Sequence, residues 1–163
     1  VTFVGELPSL VDCSYMFLGC PSLQSVSLHK LPSVTNCLSM FHNCSSLQSL
    51  YLDMPNCKNF ANFISSSTSL HTVEIVDVRK ANVFGFDGST SLQNVNCVEE
   101  LPKCAISFSG SSKLTLDSVT NIITHLPDLS AEDSKTLTLH STTKSLLTEA
   151  LIAEATNKNW IIA

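Results

Sequence analysis

Pro8-Ser-Leu-Val-Asp-Cys-Ser-Tyr-Met-Phe-Leu-Gly-Cys-Pro-Ser-Leu-Gln-Ser-Val-Ser-Leu28 is followed by Pro32-Ser-Val-Thr-Asn-Cys-Leu-Ser-Met-Phe-His-Asn-Cys-Ser-Ser-Leu-Gln-Ser-Leu-Tyr-Leu52, and the two stretches align without a gap at an offset of 24 residues. Self-similarity at this period marks a stack of units, each a short strand with a return segment. One such unit cannot bury its apolar face alone, so neighbours must cover one another. Within each copy the alternation Leu23, Val26, Leu28 and Leu47, Leu50, Leu52 predicts a strand with one face in the core.

Working outward, the plan continues with drift. Pro55 to Val78 keeps Phe63-Ile64 where Met-Phe stood and Ser69-Leu70, Val73 and Ile75 as its strand. Arg79 to Leu101 keeps Phe86, Ser91-Leu92, Val95 and Cys97, and a unit starting at Pro102 keeps Phe108 and is expected to reach its strand at Leu114-Thr115-Leu116. Val1 to Leu7 reads as the tail of a unit whose beginning lies upstream, so the chain is expected to be a trimmed segment. After Leu116 the period persists, with Leu137 standing 23 residues beyond Leu114 and Trp160 a further 23 on. The stretches between turn helical. Asp117 or Ser118 can cap a helix bearing Val119, Ile122, Ile123 and Leu126, which Pro127 ends; Thr148 can cap a second, with Leu151, Ile152 and Ala155 inward. The expected fold is a single α/β solenoid over 1–163: irregular repeats of 22–24 residues over 1–116, then a strand-helix cap over 117–163.

The motif Met40-Phe41-His42-Asn43-Cys44-Ser45-Ser46-Leu47, with its partner Met16-Phe17-Leu18-Gly19-Cys20-Pro21-Ser22-Leu23, resembles the Treponema-type leucine-rich repeat of BspA-like bacterial surface proteins. Two further units match in outline, with Ser67 and Ser89 where the Cys stands, and a fifth matches around Phe108. The segment from Leu114 to Ala163 is similar to a tail that follows such repeats in proteins of gut Bacteroidales and their phages. The resemblance implies a leucine-rich repeat fold with a short-strand parallel sheet and a secreted or surface-displayed binding protein linked to adhesion. It implies no catalysis and no cofactor.

Composition narrows the classes. Apolar residues make up 44% of the 163, enough for a real core, while charged residues make up only 14%, so Ser, Thr, Asn and Gln supply the polar surface. The net charge is −5 and no Lys/Arg cluster occurs, which excludes the phosphate-binding face that nucleic acids need. No apolar run approaches the roughly 18 residues of a membrane helix, so no insertion by this segment is expected. The seven cysteines, an odd number, fall at core positions of the repeat, where free Cys acts as a small hydrophobe. The other open reading is a disulfide between stacked neighbours such as Cys20 and Cys44. Their seven-residue spacings, without Cys-x-x-Cys or paired His, speak against zinc, and no metal or cofactor is expected.

Side chains between the core positions of such strands line one outward sheet face. Their rows read Gln24, Gln48, His71, Gln93; then Ser27, Tyr51, Glu74, Asn96; then His29 and Asp53. The candidate ligand site is accordingly Gln24, Ser27, Gln48, Tyr51, Asp53, His71, Glu74, Gln93 and Asn96, an aromatic anchor among amides and carboxylates suited to protein or glycan contacts. His71 and Glu74 are expected to be neighbours, but no Gly-x-Ser-x-Gly or strained nucleophile turn accompanies them, and no enzymatic activity is expected. The function expected is an extracellular or cell-surface interaction and adhesion module, whose partner is a protein or glycan on a host or neighbouring cell. The alternative is a non-binding display spacer in a larger surface or phage-tail protein.

Overall fold

A computed structural model describes residues 7–26, 28 and 30–163. The corner that begins each unit is built first, by side chains. Asp12, Asn36 and Asn59 bridge in parallel, one from each successive unit. The Asn36 amide donates to Asp12 Oδ2 (3.1 Å), and the Asn59 amide to Asn36 Oδ1 (3.0 Å). Each Oδ1 also accepts the backbone N–H two residues on: Ser14 to Asp12, Leu38 to Asn36, Ala61 to Asn59. Asn suits this corner because it both donates to the unit above and closes its own turn. Asn36→Asp removes the donor and sets two carboxylates face to face. Its melting midpoint is therefore expected to fall at pH 7 and to recover as the pH drops and the pair takes up one proton, which mutual repulsion moves above the ordinary carboxylate value of about 4, a profile readable by thermal denaturation.

Two left-handed residues then reverse the chain in each of the first three units, and one in the fourth. Tyr15, Ser39 and Asn62 hold the first position, at φ +59°, +52° and +51°; Gly19, Asn43, Ser66 and Gly88 hold the second, at φ +66°, +61°, +64° and +87°. The second position accounts for the alternation of Gly and Asn just before the motif Cys, since these residues enter that region most cheaply. At Gly88 a side chain would also meet the Ser66 backbone nitrogen at 3.0 Å.

The return segments bury a run of seven phenylalanine rings. Phe17 stacks on Phe41 (5.2 Å, 6°), Phe41 meets Phe63 edge-on (5.4 Å), and the run continues through Phe60, Phe84, Phe86 and Phe108. Beside it, Cys44 Sγ donates to Phe17 O (3.1 Å) and Ser67 Oγ to Phe41 O (2.8 Å). Between these two units the change from Cys to Ser is thus an exchange of small donors with one task; one unit on, Ser89 Oγ is buried without a hydrogen-bond partner among the described residues. All seven thiols are unpaired; six are buried and Cys20 is half-buried. Burial pushes the Cys97 thiol up to about 12 and that of Cys104 up to about 11, which keeps both protonated and unreactive.

The strands form two parallel sheets. The first contains β1 (Ser49–Asp53), β2 (Thr72–Asp77) and β4 (Asn94–Cys97), in that order. Pairing puts Ser49 opposite Thr72 and Thr72 opposite Asn94, with Leu50, Val73 and Val95 and then Leu52, Ile75 and Cys97 in register toward the core. The second contains β3 (Phe84–Gly85), β5 (Ile106–Phe108), β6 (Lys135–Leu139) and β7 (Trp160–Ile162).

Here the structure departs from the sequence reading. Leu114 to Leu116 is not a strand: Thr115 caps α1 (Leu116–Thr124), and this helix lies against β4 where another strand was expected. Its side chains take over the missing pairing, with Ser118 Oγ accepting Val95 N (3.0 Å) and Asn121 Oδ1 accepting Cys97 N (2.6 Å). The strands at Leu137 and Trp160 are present, but they extend the second sheet, with Ile106 opposite Leu137 and Lys135 opposite Trp160.

The C-terminal elements are tied to α1 by specific bonds. α2 (Ser141–Lys144) is a single turn, and α3 (Glu149–Asn157) starts at Thr148, whose hydroxyl accepts Leu151 N. Lys158 follows α3 and donates to Ile123 O (3.0 Å) and Thr124 O (2.8 Å), closing the carbonyl end of α1. Trp160 is buried and donates through Nε1 to Pro127 O (2.9 Å). In α3 only Ala155 is buried; Leu151 is half-buried and Ile152 faces outward, against the expectation that all three pack inward.

Candidate functional site

Strand alternation sends every second side chain of β1, β2 and β4 outward, and the register aligns them into rows. Ser49, Thr72 and Asn94 form one row of small polar groups; Tyr51, Glu74 and Asn96 form the next; beyond them the register shifts and Asp53 lies opposite the buried Asp77. Gln24, Gln48, His71 and Gln93 are brought side by side just before the strands, each backbone N–H donating to the carbonyl of the previous one (2.9–3.0 Å). Gln24, Gln48, Tyr51, His71, Glu74 and Asn96 are exposed, Asp53 and Gln93 half-buried. Ser27 and His29 lie outside the described residues.

Tyr51 is the one phenol on this face among the described residues and is 39% exposed. It borders a shallow open groove of about 510 Å³ whose other walls include Ser49, Thr72 and Glu74 and whose floor reaches Val26 and Leu28. Thr72 also borders a second groove of about 390 Å³, which runs past Asn94 and Asn96 to Thr115, Asp117 and Asn121. The helix wall of this second groove was missed from sequence. The sequence reading put Asp117 and Asn121 at the start of and within a helix, but with a strand at Leu114 to Leu116 before it, so nothing brought that helix against β4.

The face is acidic. Burial, together with the Asp53 and Glu74 carboxylates, pushes the Tyr51 phenol above its ordinary value, so the hydroxyl remains a donor at neutral pH. Burial also raises the Asp53 carboxyl, with Lys30 drawing it back and Asp77 pushing it further. At Asp77 burial acts in the same direction, but bonds from Arg79 outweigh it and hold the carboxyl below the usual range. Those bonds come from Arg79 Nε (3.1 Å), the Arg79 guanidinium NH2 group (2.9 Å) and the Arg79 backbone N (3.1 Å). Arg79 is therefore committed to Asp77, leaving Asp53, Glu74 and Asp117 against the nearby cation Lys30 to set the sign of the surface.

His71 and Glu74, expected as neighbours, both face outward on this sheet. The His71 ring contacts Ser69 O, and among the described residues no hydrogen bond or ion pair joins it to Glu74. Nor does any group of three or more potential metal ligands occur among the described residues. No helix among them is long and apolar enough to cross a membrane. Comparison with known families, with curated proteins and with solved structures finds no match to this chain.

Proposed function

We propose that the chain is a binding module: a leucine-rich repeat solenoid displayed outside the cell or on its surface, which recognises a protein or glycan through the outward face of β1, β2 and β4. The observation that carries this reading is the row Tyr51, Glu74, Asn96, flanked by grooves on both sides. An exposed ring between small polar neighbours offers a rigid anchor of low entropic cost, and carboxylates and amides beside it fix a ligand's orientation. The acidic balance favours a partner segment bearing Lys, Arg or hydroxyl donors over an anionic one. The resemblance of the Met-Phe-x-x-Cys-x-Ser-Leu motif to BspA-like surface repeats points the same way. Binding rather than catalysis fits grooves that are open and shallow.

The test is binding of the purified chain to surface-protein and glycan panels beside a Tyr51→Ala/Glu74→Ala variant of unchanged circular dichroism. Loss of an anchor of this kind is worth about 2 kcal/mol or more, a fall in affinity of roughly thirtyfold. Equal binding by both proteins would remove the face from the account. Binding by neither would favour the spacer reading.

A further inference from the structure

The first and second repeats carry nearly the same surface in two different states. On the second, Met40, Phe41 and Cys44 are fully buried and Ser39 nearly so, because the first repeat lies over them. On the first, the equivalent Met16 is 37% exposed and Tyr15 52%, with Leu18 and Val11 exposed beside them and Cys20 half-buried.

The backbone repeats the contrast. N–H groups of Cys13, Tyr15, Phe17 and Gly19 donate to the carbonyls of Asn36, Leu38, Met40 and His42 (2.8–2.9 Å). One unit earlier, the carbonyls of Asp12, Ser14, Met16 and Leu18 accept nothing among the described residues. This edge therefore pairs an apolar band with four open acceptors at alternate residues.

We propose that the edge is the docking surface for one further unit of the same repeat plan, carried in the same polypeptide. Seated in parallel register, its N–H groups at the positions of Cys13, Tyr15, Phe17 and Gly19 reach the four carbonyls, and its apolar residues cover Tyr15, Met16 and Leu18. A second copy of this chain does not supply that pattern. Two such edges face to face set acceptor against acceptor, and the far end offers only the three residues of β7. Asp12 adds a specification. Lacking an amide, it cannot donate upward as Asn36 and Asn59 do, so the unit's corner residue is one that donates to a carboxylate.

The test inserts a copy of Pro8–Leu31 between Leu7 and Pro8, which reproduces the Leu31-Pro32 junction. The copy carries Met16→Leu so that one methionine is read, and the receiving repeat carries Asp12→Asn to restore the corner pair. Under hydrogen peroxide, Met16 in the unmodified chain is expected to oxidise much faster than Met40. In the extended chain its rate falls roughly tenfold or more, toward that of Met40, as local opening becomes the route of access. An unchanged Met16 rate, or an insert that proteases remove as unfolded chain, would overturn the proposal. So would self-association of the unmodified chain in sedimentation that Leu18→Lys abolishes, since the edge would then belong to a second copy.

Discussion

Replacing Phe41 by Ala is expected to cost about 3–5 kcal/mol, the range for a buried aromatic truncated in a core that cannot collapse around the gap. Phe41 is fully buried and holds two neighbours at once, stacked on Phe17 and edge-on to Phe63. Its loss breaks the aromatic run between the first repeats and the rest, and lowers the melting midpoint by roughly 10 °C or more for a chain of this size. Phe41→Leu retains most of the volume and gives up the ring contacts, so it should lose less than half as much. Urea denaturation of the three proteins measures both. A Phe41→Ala variant as stable as the parent would mean that the run is not what joins the repeats.

Trp160→Ala is the second large effect, again about 3–5 kcal/mol. The indole is buried, and its removal leaves Pro127 O without the donor that Trp160 Nε1 supplies. Trp160 also pairs with Lys135 across the second sheet, while the adjoining Lys158 closes the end of α1, which lies along β4 of the first sheet. Damage at Trp160 should therefore reach both sheets. The expected result is one transition by far-ultraviolet circular dichroism, shifted as a whole to lower denaturant. Two transitions, the later one unshifted, would divide the chain near residue 116 into separately stable parts.

How far the sequence could be read follows from which signals are periodic. Leu47, Leu70 and Leu92 and the alternation after them fixed the strands and outward rows of the first sheet, because strand alternation separates inward from outward residues. The same period misled after Leu114. A spacing of 23 residues locates the next pass of the chain but not the ladder it joins, and the nine residues of α1 moved the following strands into the second sheet. Asp12, Asn36 and Asn59 stood in aligned positions, each one residue before a core side chain, yet an alignment made on apolar residues passes over amides. In α3, Leu151 and Ile152 are adjacent and so about 100° apart around the helix; Ala155, four residues after Leu151, sets the buried face, and Ile152 falls outside it. For the candidate site, Tyr51 and Glu74 were legible from alternation, whereas the wall formed by Asp117 and Asn121 depends on where a helix packs.

The measurement that bears most directly on the central claim is site-specific photocrosslinking on the target cell surface. A benzophenone side chain is placed at Asn96, on the outward face of β4 beside Glu74, or at Thr138 in β6, which lines a groove on the other sheet. The account predicts a discrete covalent adduct from position 96, lost when Tyr51 and Glu74 are both changed to Ala, and none from position 138. An adduct from position 138 alone, or one from position 96 that survives the double substitution, would contradict it.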